Sequence, residues 1–228
     1  MQKIQVAVCI SGQIRGTPKR NLDNLKHNFP SADIFLGTWK GTQTDYPVKF
    51  YEEPQINYHP YGDIDESLVL SDRLAHKIPR FMSQPHEVKR TSHQTKQILA
   101  HAYMVDDNPG YDVYVRARWD TLTYLKADFQ KYVEDAYNNK RAIGFGAPGT
   151  PFTQIQEASS GPFHDYFLFD QLIIHSAEVF NTDLVYTLNE EKKLIAAEWG
   201  WYQIMSQPYN SNHRCMMGWA NPESHVTG

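Results

Sequence analysis

The opening forty residues constrain the fold most. Residues 3–10 (KIQVAVCI) form a short β-branched run, and Ser11-Gly12-Gln13 ends it in a turn. Pro18 then sits where a first helical residue needs no N–H, with Thr17 before it as a cap. Leu22, Leu25 and Phe29 recur at helical spacing, Pro30 closes the helix, and 32–38 (ADIFLGT) reads as a second strand. Strand, tight turn, helix, strand is the start of a parallel, Rossmann-like sheet.

The rest of the chain continues that pattern with one gap. Stretch 40–90 carries five prolines, a short candidate strand at 48–52 and a candidate helix near 65–76. A helix is expected at 91–105: Thr91 and Gln94 have the spacing of a capping box, and Ile98, Leu99, Ala102 and Val105 give its apolar stripe. Further strands are expected at 111–118, 141–146 and 166–175, with helices at 127–138 and 190–206 and a short helix capped by Ser176. The tail from 208 shows no period. The expectation is a single α/β domain over 1–228 with a mostly parallel central sheet.

Charge and cysteine usage remove several function classes. A net charge of −4 over 228 residues, with no Lys/Arg stripe, argues against a duplex nucleic-acid partner. The apolar run at the start is too short to span a membrane and lacks a cleavage site. Cys9 and Cys215 make neither a disulfide framework nor a zinc motif, so a reducing, cytoplasmic setting is expected. Neither a P-loop nor a dinucleotide fingerprint is present.

What remains is a set of polar residues at strand ends. Asp120 follows a strand with Arg116 and Arg118 on one face, where a carboxylate can hold Mg²⁺ or Mn²⁺ together with substrate phosphates. The alternative is that Asp120 caps a turn and pairs with an arginine. In the turn Ser11-Gly12-Gln13-Ile14-Arg15-Gly16, glycines allow close backbone approach and Arg15 can meet phosphate; an ordinary strand-to-helix turn would use the same glycines. Asp170, inside FLFDQLII, needs a partner or a role if buried. Glu198 falls on the apolar helical face with Leu194, Trp201 and Met205, so it is either paired in the core or aimed into a cleft, as a general base or to position the sugar. His213, in the tail, is a candidate third metal ligand; most of the ten histidines are not ligands.

Taken in order, SGQIR, DIFLGTW, YDVYVRARWDT, FDQLIIHS and AAEWGWY resemble a family of glycosyltransferase-like proteins common in bacteriophages, large viruses and bacteria with variable surface glycans. The resemblance covers about residues 4 to 202 and implies a GT-A-type fold binding a nucleotide-sugar donor. By that resemblance Gln13 and Arg15 lie at the diphosphate; Ser11 and Gly12 of the same turn, with Arg116 or Arg118 to neutralise the leaving group, complete the candidate donor site. Asp120 stands at the last Asp of a D-x-D metal motif; His213, beyond the span of the resemblance, stays a candidate ligand on its position in the tail alone. The resemblance places Asp170 and Gln171 near the sugar and acceptor and Glu198 at the cleft. Asp170 or Glu198 is the candidate catalytic carboxylate, and Trp199 is a further candidate on the sugar or acceptor side. Two positions depart from the family: Arg118 replaces the first Asp of D-x-D, so an arginine can neutralise the diphosphate instead. His175 replaces a glycine, which narrows the acceptor side. The implied reaction is glycosyl transfer to a hydroxyl of a glycan or other acceptor. The competing readings are an inactive GT-A-like binding module, a glycosyltransferase acting on hydroxylated DNA bases, and a nucleotidyltransferase.

Overall fold

The computed structural model describes residues 3–54, 85–123, 129–145, 170–191, 194, 200–201, 204–205, 215–217 and 226–227. Strand β1 (Val6–Ser11) leads through a glycine-bearing loop to helix α1 (Pro18–Asn28), then to β2 (Asp33–Trp39) and β3 (Lys49–Tyr51). Helix α2 (Pro85–Asp107) returns the chain to β4 (Val113–Arg118). There follow β5 (Leu122–Thr123), α3 (Gln130–Asn139), β6 (Ala142–Phe145), β7 (Leu172–Ser176), α4 (Thr182–Glu190), β8 (Cys215–Met217) and β9 (Val226–Thr227).

Seven strands form one sheet in the order β3-β2-β1-β4-β7-β6-β8, and β5 pairs with β9 separately. Four of the sheet's pairings are parallel; only β7 runs against its neighbours, β4 and β6. This is the expected Rossmann-like α/β fold with a mostly parallel sheet. Among the described residues, no helix is long and apolar enough to cross a membrane.

Alternation along the strands builds a layer on each face. Val8 and Ile10 of β1 join Val113, Val115 and Ala117 of β4, and Leu25 of α1 and Phe29 just after it, with Val133 and Ala136 of α3, cover that face. Ala7 and Cys9 point the other way, toward Met104 of α2. Ile98 and Leu99 of α2, with Val185 and Leu188 of α4, close the second layer over Ile173 of β7. A side chain such as Ile10 or Ile174, fully removed from water, contributes on the order of 1.5–3 kcal/mol. Cys9 is a core residue, and burial pushes its thiol up to about 12.

Several elements differ from the sequence expectation for local reasons. Helix α2 starts at Pro85 rather than Thr91, because proline suits a first helical position and a Thr-x-x-Gln pattern does not prevent a helix from running through it. Thr17 sits at the α1 N-cap position without a side-chain cap bond; its hydroxyl donates to Asn21 Oδ1 at 3.4 Å instead. Strand β7 begins at Leu172, so Asp170 and Gln171 precede the strand rather than interrupt it. Glu190 ends a helix rather than opening one: Asn181 accepts from Leu184 N–H and starts α4 earlier. Ser176 caps a short 3-10 turn, Ala177–Val179, as expected. The candidate helix near 65–76 lies outside the described residues, and the tail contributes β8 and β9 where no period was visible.

Candidate functional site

The strand order fixes where a ligand can lie. From β1 the chain crosses by α1 to β2 on one side, whereas β4, reached through α2, lies on the other side of β1. The carboxyl ends of β1 and β4 therefore flank a topological switch point, where the outgoing loops diverge and leave a crevice. Ser11 and Arg118, the last residues of the two strands, are register partners there.

The crevice is built around Asp120. Arg118 grips it from its own turn, with Nε donating to Oδ1 at 2.8 Å and Nη2 to Oδ2 at 2.7 Å. Arg15 reaches in from the β1–α1 loop and donates from Nε to Oδ2 at 2.6 Å. Burial pushes the Asp120 carboxyl up, but the Arg118 hydrogen bonds and the Arg118 and Arg15 charges outweigh it and hold the group below its ordinary value. Gly16, at φ 71°, lets the loop lie against Asp120: a Cβ there would stand 3.3 Å from the Asp120 Cβ.

The turn that carries Asp120 is pinned on three sides. Arg118 N–H donates to Thr121 Oγ1 at 3.1 Å, and that hydroxyl donates to the Gln171 carbonyl at 2.7 Å. Asn21 of α1 donates to the Trp119 carbonyl at 2.6 Å, while the Trp119 indole N–H donates to the Gly37 carbonyl at 2.9 Å. These contacts bring Gln171 and the Asp120 turn together.

Beneath them lies Arg116, with no exposed surface. Its guanidinium donates to the Asp170 carbonyl and, at 3.1 Å, to Gln97 Oε1 from α2, and it stands 5.2 Å from the centre of the Trp201 ring. Gln97 also closes on the loop: a Cβ on Gly12, at φ 97°, would come within 2.7 Å of its amide nitrogen. The Gly12 carbonyl accepts from Thr38 Oγ1 at 2.9 Å.

Most of the sequence-predicted site thus gathers in one place. Ser11, Gly12, Arg15, Arg116, Arg118, Asp120, Asp170 and Gln171 are brought together, and Gln13 stands exposed in the same loop. Ser11 Oγ and Gln171 Oε1 are buried with no hydrogen-bond partner among the described residues. Glu198, Trp199 and His213 lie outside the described residues. His175 does not narrow the crevice; it points into the α2 layer, buried against His101. Sequence reasoning missed Gln97, Thr121, Thr38 and Asn21. Gln97 and His101, four apart beside the apolar stripe of α2, were a readable signal, since polar residues on a buried helix face need partners.

The described residues do not fit a metal centre as they stand. Both Asp120 oxygens face guanidinium groups, and no cluster of three His, Cys, Asp or Glu side chains stands together among the described residues.

Compared with protein-family models and with curated sequences, the chain matches none. Among solved structures it is similar to the core-mannan synthase A of Aspergillus fumigatus in its Mn/GDP form, with 10% identity, TM-score 0.46, and 99% of this chain and 75% of that one covered. It is also similar to a glycosyltransferase involved in glycosylating the major capsid of PBCV-1, with 6% identity, TM-score 0.45, and coverage of 93% and 81%. A third is the mannosyltransferase Ktr4p of S. cerevisiae, with 10% identity, TM-score 0.45, and coverage of 99% and 70%. All three likenesses are distant.

Proposed function

We propose that this chain is a nucleotide-sugar-dependent glycosyltransferase of GT-A type, moving a sugar from a nucleoside-diphosphate donor to a hydroxyl of a glycan or other acceptor. The observation that carries the reading is the paired guanidinium groups of Arg15 and Arg118 at the switch-point crevice. The order of the SGQIR, RWD and DQ motifs along the chain supports it independently.

In this reading Ser11, Gly12 and Gln13 line the approach to the diphosphate. Arg15 and Arg118 neutralise the charge that develops on it as the donor bond breaks. Arg116 acts from below as a positioning residue through the Asp170 backbone and Gln97. The acceptor oxygen forms its bond to the anomeric carbon, and the bond from that carbon to the diphosphate oxygen breaks. The electron pair leaves with the diphosphate, and a carboxylate, Asp170 or Glu198, takes the acceptor proton. Gln171 and Trp199 serve the sugar or acceptor side.

The test is a thermal-shift panel of UDP-, GDP-, CMP- and dTDP-sugars, with and without Mn²⁺, on the wild type and Arg15→Ala. A donor at about 100 times its dissociation constant stabilises the fold by roughly 2.7 kcal/mol. One nucleotide family should shift the wild type, with about tenfold weaker binding in Arg15→Ala. Release of nucleoside diphosphate from that donor in the presence of hydroxyl acceptors then establishes transfer. Binding without release points to the inactive module, and no shift with any donor sinks the reading.

A further inference from the structure

We infer that Asp120 is an internal anion that occupies Arg15 and Arg118 and yields them to an incoming diphosphate. The inference rests on the reading of this crevice as a diphosphate site and adds how that site is held before the ligand arrives.

Three observations carry it. Both oxygens of one carboxylate accept from guanidinium groups, Oδ1 from Arg118 and Oδ2 from Arg118 and Arg15 on different elements, which is the arrangement a phosphate would adopt on the same forks. The groups are unequally held: the Asp120 and Arg118 side chains are 14% and 17% exposed, whereas Arg15 is 53% exposed. Arg15 also sits between Gly12 and Gly16, both at positive φ, on a loop whose backbone a side chain at either glycine would strain. Asp120 and Arg118 therefore form the fixed half of the contact, and Arg15 the half that can move.

The chemistry follows from competition. While Asp120 holds both guanidinium groups, a diphosphate must displace it, and the apparent affinity is reduced by the fraction of molecules in which the arginines are already available. Displacement exchanges one carboxylate for an anion of higher charge, so the exchange favours a diphosphate over a monoanion. It also releases the carboxylate oxygens only when the ligand is bound.

The sign of one substitution decides the matter. Pyrophosphate binding is measured by calorimetry at low ionic strength with a chelator present, in the wild type, Asp120→Asn and Asp120→Ser. Removing the internal anion should tighten pyrophosphate binding by about tenfold. Glu134→Gln makes the same change of net charge at the far end of the sheet, beside Lys3 and Ile4, and should change binding by less than about twofold. Adding Arg15→Ala to Asp120→Asn should abolish the gain. Unchanged or weaker binding in both Asp120 variants, with their folds intact by circular dichroism, overturns the inference. So does a gain that survives Arg15→Ala. A gain seen while no nucleotide sugar binds any variant leaves the exchange standing and removes the transferase. A donor that binds the wild type, with no gain on removing Asp120, does the reverse.

Discussion

His101 of α2 and His175 of β7 meet Nε2 to Nε2 at 2.8 Å, with neither ring exposed to solvent. Their tautomers follow from the neighbours. His175 Nδ1 lies 3.0 Å from the Ser176 carbonyl, which can only accept, so that nitrogen carries the hydrogen and His175 Nε2 accepts from His101 Nε2–H. His101 Nδ1 is then bare, and it has no partner among the described residues. Tyr114 stacks on His175 at 5.7 Å, and Phe180 and Trp201 flank His101 at 4.9 and 5.7 Å.

This pair predicts an acid-sensitive fold. Burial lowers the His101 pKa well below its ordinary value, and the charges of His175 and Arg116 lower it further. Burial pushes His175 down to about 4, against a smaller opposing effect of the Ser176 hydrogen bond. Both are depressed relative to the unfolded value of 6.5, so the unfolded chain binds more protons below that pH. Stability is full above pH 6.5 and declines toward pH 4, by up to about 1.4 kcal/mol per pH unit for each ring. Urea midpoints between pH 7 and 5 check this. A His101→Met, His175→Met double variant should lose most of the slope, and an unchanged slope would assign it to other groups.

Gly12 and Gln97 should be energetically coupled. Gly12→Ala places a methyl group on a positive-φ residue and against the Gln97 amide, and is expected to cost about 1–3 kcal/mol. Gln97 can withdraw only by leaving Arg116. A double-mutant cycle with Gln97→Ala should therefore show a favourable coupling of about 1 kcal/mol. Strict additivity would contradict the observed contact.

Arg116 should tolerate no neutral replacement. Arg116→Ala removes the donors to the Asp170 carbonyl and Gln97 and leaves a buried space beside Trp201, at an expected cost of about 3 kcal/mol by chemical denaturation. Arg116→Lys should recover only part of it, because an ammonium group is a point charge without the guanidinium fork.

Trp119→Phe tests the seat of the Asp120 turn. It deletes the indole donor and leaves the Gly37 carbonyl without that bond, for roughly 1–2 kcal/mol of stability. Because Asn21 holds the same residue by its carbonyl, Asn21→Ala should act in the same direction. Both should weaken pyrophosphate binding as well as lower the melting temperature. A stability loss with unaltered binding would separate this turn from the site.

Short windows of sequence specify the local pieces: the strand at 3–10, the Pro18 start of α1, the strand ending at Arg118, and the glycine loop carrying Arg15. Each is written in period and turn chemistry within a short window. Where local signals competed, the reading failed: Thr91 and Gln94 resemble a cap inside a longer helix, and the apolar run around Asp170 hid the point where pairing starts. Long-range pairing alone sets β7 antiparallel between β4 and β6 and brings Gln97 and His101 of α2 onto Arg116 and His175. Only it brings Arg15 onto Asp120, 105 positions away. Periodicity tells which side of an element is buried and is silent about its neighbour. That choice depends on crossovers and register, through contacts far apart in the chain that form only when the whole sheet does.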